Sequence, residues 1–572
     1  MLDTTSGFNS ALAALAQKHP DLWELSACGV TRLRQGIPAL LAQDAYTSET
    51  KRVRVLLIGG LSGATNDSGL VLKALELSAE QAERLAPKVA LSAVPWADLD
   101  AFMPDSDNMR DLSGGYPPAD NFYFDSNAPE SRYLWRWICL QSPDLLLEIR
   151  SGDTVRWESN DAVEILPFTI GASKMADNDS LLGALGQGMP DGLGPIPGLR
   201  LTINEPELGL ELGRLWESLL QVWSWHPSPA RQELLDRRSR TNLEVANILA
   251  SAYGHRLETV VYTQGVAISG RLQLAALSPD IASSASEVAS VVETFLSGET
   301  DPFEKPPGGS TLAGLIWAYD LAQANGDQRA SDLLIRAANY YQATSQGEAP
   351  STADPAFRVE DMFYCGAMLG RAFEMTGDQK YLETMTSFLL DAGTQQENGL
   401  FWHDRSSPYY WGRGNGFAAL GFVEALTYLP DAHPQREAIL QIHLKHLAAL
   451  LQIQQQTGMY WQILDFAGSY QEFTGTCMIG YAMARGLRRG WLDPSYRASV
   501  DLAWRGVKER IDYAGNVVDA CISTGVQKNV AEYLDRTAIF GYDDRSGSLA
   551  LWFALETERL DREMRGATTK WN

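Results

Sequence analysis

Apolar residues follow two different rhythms along the chain. Up to about residue 275 they gather in short β-branched runs, VRVLLIGG at 53–60 and DLLLEIRSG at 144–152, with a helical stretch between them. LRLTIN at 199–204 and LETVVYTQGV at 257–266 read as further, weaker strands. Strands alternating with helices predict an α/β sheet, so residues 1–275 are expected to form one α/β domain. From 276 to 572 long amphipathic helices take over, among them TLAGLIWAYDLAQAN, DMFYCGAMLGRAFEMTG, GFAALGFVEALTYL and GTCMIGYAMARGLRRGWL. The segments NGDQRAS, TGDQKYL, AHPQREA and LDPSYRA each close one helix and open the next. Their spacing of about 50 to 60 residues predicts an all-α array or closed ring of helix pairs.

A chain of 572 residues exceeds one ordinary compact domain, which supports the division into two. With 45% hydrophobic residues and 16 Trp, both parts have apolar surface for a core, and no segment has a disordered composition. The formal charge of −24 opposes binding to nucleic acid or an anionic membrane, so an acidic ligand must be met by a local positive group. The opening MLDTTSGFNSALAALAQKHP lacks the basic start and unbroken apolar run of a secretory leader, and no stretch reaches membrane-helix length. A cytoplasmic location is expected. Five scattered cysteines without a CxxC pair fit reduced, buried thiols. His443 and His446 share a helix face, but no acidic or Cys neighbour completes a metal set, so packing is expected of them and no metal or cofactor is.

Candidate chemistry lies in the loops of the helical half: RVEDMFY (358–364), NGLFWHD (398–404), SPYYWGRGNGF (407–417) and GMYWQILD (458–465). Helix-pair loops rarely need Trp. If the pairs close into a ring, loops at one end surround a common pocket, and flat Trp and Tyr rings suit the apolar faces of sugars.

These blocks, with SYQEFTGTCMIGYAMARGLRRGWLD and DDRSGSLALWFALE, resemble in order and spacing those of glycoside hydrolase family 105, over roughly residues 280–560. The resemblance implies an (α/α)6 barrel, here with a shortened beginning, and hydrolysis of unsaturated rhamnogalacturonyl or glucuronyl oligosaccharides made by polysaccharide lyases. In that chemistry an acid protonates C4 of the C4=C5 enol ether, water adds at C5, and the hemiketal opens to free the terminal sugar. By motif position Asp361 is the implied catalytic carboxyl and His403 its assistant. Arg413 is the implied partner of the substrate carboxylate, since a guanidinium offers a bidentate fork. Trp411 leads the implied stacking residues, with Phe417, Trp402, Tyr410 and Trp461. The expected partner is an oligosaccharide with an unsaturated uronyl end; the sequence leaves the oligomeric state open.

Two positions depart from the family. Phe417 stands where Trp is usual, and the second active-site Asp has only Ser310 or Thr311 near its place, with Asp301 and Glu304 upstream as substitutes. A noncatalytic carbohydrate-binding or regulatory protein is therefore the alternative reading.

The first half resembles zinc carboxypeptidases through IGGLSGAT (58–65), NMRD (108–111), PESRYLWRWICLQSPDLLLEIRSG (129–152) and LTINEPEL (201–208). Ser62, Thr65 and Arg150 hold the implied metal-ligand positions, and a guanidinium cannot be a ligand. The implied general-base position is ambiguous between Asn204 and Glu205, so a noncatalytic carboxypeptidase-like α/β domain is expected.

Overall fold

A computed structural model describes residues 4–47, 49–99, 112, 114–118, 128–168, 170–188, 192–221, 226–278 and 285–568. The chain divides into two compact units, Met1–Ser239 with Phe466–Tyr470, and Arg240–Asp465 with Gln471–Asn572.

The first unit is a three-layer α/β/α structure. Its eight strands are β1 (Trp23–Val30), β2 (Gly36–Ala42), β3 (Val53–Ile58), β4 (Val89–Val94), β5 (Leu145–Ser151), β6 (Arg156–Ser159), β7 (Ser173–Lys174) and β8 (Gly198–Ile203). They form one sheet in the order β1-β2-β4-β3-β5-β8-β6-β7. The centre, β4-β3-β5-β8, is parallel, while β1, β2 and β6 pair antiparallel. Every residue of VRVLLI is buried because helices cover both faces, which explains an apolar run without alternation. The helices are α1 (Thr4–Lys18), α2 (Thr65–Ala79), α3 (Ala82–Leu85), α4 (Pro129–Gln141), α5 (Leu181–Leu185), α6 (Glu205–Gln221) and α7 (Pro229–Ser239). Side chains of α1, α2 and α6 fill the core on one face, and those of α4, α5 and α7 the core on the other. NMRD (108–111) lies outside the described residues.

The second unit carries α8 (Asn242–Ala252), α9 (Tyr262–Leu277), α10 (Ala285–Leu296), α11 (Gly309–Ala313), α12 (Trp317–Asn325), α13 (Gln328–Ala338) and α14 (Val359–Thr376). There follow α15 (Gln379–Asp391), α16 (Gly412–Tyr428), α17 (Arg436–Ile453), α18 (Phe473–Arg488), α19 (Tyr496–Glu509), α20 (Val530–Leu534) and α21 (Asp544–Thr568). Two short sheets complete it, β9 (Tyr460–Trp461) with β10 (Gln471–Glu472) and β11 (Val517–Cys521) with β12 (Ala538–Gly541). Helix α9, the broken pair α11–α12, then α14, α16, α18 and α21 pack each on the next and close into an inner ring. Helices α8, α10, α13, α15, α17 and α19 form the outer layer, giving six pairs among the described residues. The layers differ as their sequences require. Inner helices are buried all round, α14 over 359–372 and α18 over 473–486, whereas α13 buries only the stripe Ala330, Leu333, Leu334, Ala337 and Ala338. The predicted turns fall in place: Gly326 and Gly377 end helices at positive φ, and Asp327 and Asp378 cap the next ones.

Three expectations are corrected. The boundary lies at Ser239/Arg240 rather than 275. The expected strand at 257–266 is instead the lead into α9: Val261 is extended, but Tyr262 onward is helical and buried on every side, so tertiary burial overrides the local β-branched signal. Helices α8 and α9 also supply the first pair, so the ring has no shortened beginning.

Neighbouring inner helices touch through glycines. A Cβ on Gly421 of α16 would enter the backbone of Met362 in α14, and one on Gly265 of α9 would enter Gly314. Alanine at position 421 would gain up to about 1 kcal/mol of helix propensity, but it must push one helix backbone off another, and overpacking of that kind costs about 1–3 kcal/mol. Gly421→Ala is therefore expected to lower the thermal midpoint; an unchanged or raised midpoint would show that the ring has slack at this contact.

Candidate active site

The N-termini of the inner helices meet at one end of the second unit. Tyr262 at the start of α9 lies 5.2 Å from Tyr364 of α14 and 5.7 Å from Phe417 of α16, ring centre to ring centre. Arg545 in the first turn of α21 donates to the Tyr262 hydroxyl at 2.7 Å, and Thr474 of α18 bonds Ser546 of α21 at 2.8 Å. Helix N-termini carry partial positive charge, so this mouth favours an anionic group despite the overall charge of −24.

Asp361, in the first turn of α14, is buried. Its Oδ2 accepts the Asp354 backbone N–H at 3.0 Å and lies 3.5 Å from Arg358 Nη2, while Oδ1 has no hydrogen-bond partner. Burial pushes its carboxyl up to about 7, against the lowering pull of Arg358 and of the Asp354 N–H. The loop that supplies this N–H is bent at two non-glycine residues of positive φ, Thr352 and Phe357. Phe357 is held there by stacking on Phe388 at 5.3 Å and by the Arg405 guanidinium 3.8 Å above its ring. At the start of α11, Gly309 faces Asp361 so closely that a Cβ on it would sit 2.6 Å from Oδ1. Backbone rather than an acid thus faces Oδ1 there. Asp301 does not replace it: it is exposed and paired with Arg336 at 3.2 Å, and Glu304 is exposed as well.

Glu360 supplies the second carboxylate. It meets His403 Nε2 at 3.2 and 3.3 Å and lies 3.6 Å from Arg358 Nε. Burial alone would raise its pKa, but His403 and Arg358 together hold it below the usual carboxylate range. The Nδ1 of His403 meets the Tyr533 hydroxyl at 2.6 Å, and that hydroxyl also contacts Ser407 at 2.9 Å. Two adjacent carboxyls are thereby driven apart in proton affinity, the arrangement an acid and its charged partner need.

The expected binding residues divide. Trp402 and Tyr410 are half-buried on the loops. Trp411 is buried between His403 and the Arg413 guanidinium, each 4.5 Å away, and Phe417 sits inside the aromatic cluster with Tyr262 and Tyr364. Trp461 is buried in β9. Arg413, expected to clamp a carboxylate, is buried and engaged with backbone: Nη1 donates to the Cys521 carbonyl and Nη2 to that of Ile522 at 2.7 Å, at the end of β11. Glu472 ties the same strand from below by accepting Cys521 N–H at 3.0 Å while capping α18.

Glu360 went unselected in the sequence although it directly precedes Asp361, because adjacency does not say which way each carboxyl points. Tyr533 lies outside the recognised blocks and Tyr262 in a segment read as a strand, and only the fold brings them to the mouth.

Residues 250–561 match the model of Glycosyl Hydrolase Family 88. The chain belongs to this family. It is 28% identical over 160 residues to the unsaturated 3S-rhamnoglycuronyl hydrolase of Alteromonas sp. (strain LOR), a stretch covering 25% of this chain and 38% of that one. It is 31% identical over 127 residues to the unsaturated rhamnogalacturonyl hydrolase YesR of Bacillus subtilis (strain 168), covering 22% and 35%. The chain thus spans less than two fifths of the length of these curated relatives. A family 105 glycoside hydrolase structure from C. acetobutylicum ATCC 824 aligns with a TM-score of 0.48 at 18% identity, over 55% of this chain and 99% of that one.

In the first unit, Ser62 donates to Asp67 at 2.6 Å, Thr65 opens α2, and Arg150 pairs with Glu148 at 2.5 Å. Asn204 accepts the Glu207 N–H, capping α6, in which Glu205 is the first residue. All five cysteines are buried and outside any disulfide, and the described residues contain no group of three or more His, Cys, Asp or Glu placed to hold a metal. His443 and His446 pack against Phe422 and Phe401.

The raised Asp361 pKa has a measurable stability consequence. A group whose folded pKa lies above its unfolded value stabilises below the unfolded value, near 3.8, and that contribution is lost as pH rises towards 7. Each pH unit of that interval is about 1.4 kcal/mol, so ionised Asp361 costs on the order of a few kcal/mol at pH 8. Asp361→Asn should therefore raise the melting temperature at pH 8 and change it little at pH 4. Equal stability of the two proteins at pH 8 would contradict this burial.

Proposed function

We propose that the second unit is a glycoside hydrolase that releases a Δ4,5-unsaturated uronic acid from the nonreducing end of lyase-generated oligosaccharides. What carries the reading is the pair of adjacent carboxyls at a ring of helix N-termini: Asp361, about half protonated near pH 7, beside ionised Glu360. Asp361 gives its proton to C4 of the enol ether, and positive charge develops at C5 and the ring oxygen. Glu360, held by His403, stabilises that charge, because a buried carboxylate acts there at low dielectric. Water adds at C5, returning a proton to Asp361, and the hemiketal opens to expel the next sugar. Helix N-termini and the half-buried Arg358 guanidinium receive the substrate carboxylate. Trp402 and Tyr410 take the sugar face. The relatives named above support this chemistry.

Loss of enol-ether absorbance on a panel of lyase products tests the reaction, and no turnover on any of them would favour the carbohydrate-binding alternative. Asp361→Asn should lower kcat by about a hundredfold to ten-thousandfold. In the parent enzyme the rate should fall as pH rises through about 7, because the acid loses its proton. A folded Asp361→Asn protein with near-normal turnover would move the acid role to Glu360. Arg413→Ala should act mainly by loosening β11, lowering the melting temperature as well as turnover; loss of substrate affinity alone would restore the clamp role.

We also propose that the first unit is a noncatalytic, carboxypeptidase-like domain, because Ser62 and Arg150 are spent on internal contacts and Thr65, exposed at the start of α2, offers only a hydroxyl where a metal ligand would be needed. Metal analysis of the purified protein should find no stoichiometric zinc, and one tightly bound zinc per chain would overturn this assignment.

A further inference from the structure

The far end of the same ring holds a second cavity, of about 410 Å³, walled by the last turns of inner helices. Five arginines line it: Arg371 from α14, Arg485, Arg488 and Arg489 from the end of α18, and Arg559 from α21. Two fully buried glutamates serve four of them. Glu424 lies 2.7 Å from Arg371 and 3.4 Å from Arg485; Glu556 lies 2.8 Å from Arg485, 2.6 Å from Arg488 and 3.5 Å from Arg559. Arginine charge outweighs burial at both glutamates, and Glu556 is held down to about 2.

Helix C-termini attract cations, so part of this cluster neutralises the helix ends. The cluster exceeds that need. Arg371 and Arg485, both more than nine-tenths buried, each keep an Nε–H without an acceptor, and Arg489 has no ion-pair partner among the described residues. The remaining acids of the wall are Glu374 and Asp320; Asp320 accepts the Ser269 hydroxyl at 2.5 Å, and burial raises its pKa. Tyr319 and Tyr428 line the same space, their rings 5.8 and 5.3 Å from the Arg371 guanidinium.

We infer that this cavity is a binding site for a small oxyanion, phosphate or carboxylate, carried on a compact polar molecule and lying apart from the mouth. Guanidiniums from three helices converge on the anion, and the tyrosine hydroxyls meet hydroxyls of its carrier. The volume lies within the range of small-molecule sites, about 300–1,000 Å³. The inference is independent of the reaction proposed for the mouth.

Calorimetric titration of the full chain with inorganic phosphate and, separately, with D-glucuronate tests it. Saturable binding of at least one probe is expected, with affinity reduced at least about tenfold in Arg489→Gln, which removes one charged contact. Arg489 is exposed, so its variant should fold; Tyr428→Phe, which keeps the ring against Arg371, is a second variant expected to weaken binding. Glu360→Gln and Asp361→Asn should bind the probe as the parent does. A response to phosphate alone would identify a phosphate carrier, and one to glucuronate alone a sugar acid. Absence of binding by both probes, unaltered affinity in Arg489→Gln and Tyr428→Phe, or loss of binding in the Glu360 or Asp361 variants would each overturn the assignment.

Discussion

Everything in the helical unit depends on how closely the inner helices approach. Gly366 and Gly421 join α14 to α16, Gly416 and Gly475 join α16 to α18, and Gly265 and Gly314 join α9 to the turn between α11 and α12. Elsewhere a glycine receives a large side chain, as Gly480 does Phe553. Interiors are packed as densely as organic crystals, so a methyl group at these contacts has nowhere to go. The short separations make a ring narrow enough for residues on α9, α14 and α16 to touch across its mouth.

A ring of inner helices running the same way has two electrically unlike ends. At the N-terminal end, peptide dipoles supply positive potential, and the chain places carboxyls there: Asp361, Glu472 and Asp544 all lie in or cap first turns. Glu472 spends its oxygens on the N–H groups of Thr474, Gly475 and Cys521, as a capping group does. Asp361 leaves Oδ1 unpaired, and its burial outweighs both the dipole and Arg358. That difference distinguishes the carboxyl proposed as the acid from a structural one on the same end of the barrel. At the other end the potential reverses, and arginines crowd the cavity wall.

The mouth is specified by contacts that cross long stretches of sequence. Tyr533 reaches His403 over 130 residues and Arg413 reaches Cys521 over 108. The strained backbone at Thr352 and Phe357 belongs to the same design: it is held by the Phe388 stack and by Arg405, and it delivers one N–H to Asp361. Arg413 shows how a guanidinium suited to a ligand carboxylate can instead be committed to two backbone carbonyls, an assignment only coordinates reveal.

The sequence by itself determined most of the elements and pointed to the loops that gather at the mouth. Buried runs such as VRVLLI and the Gly-Asp turns at 326–327 and 377–378 are local signals, governed by backbone conformation and burial period, and they fall where expected. The aromatic loops named the mouth for the same reason: composition of a loop is visible residue by residue. Tertiary structure decided the rest. It turned the β-branched stretch before Tyr262 into the start of a buried helix, moved the unit boundary to Ser239/Arg240, and set Gly309 rather than an acid against Asp361. It also decided that Glu360 faces His403 while Asp361 faces Gly309, because the side-chain directions of two adjacent helical residues acquire meaning only when neighbouring helices are in place.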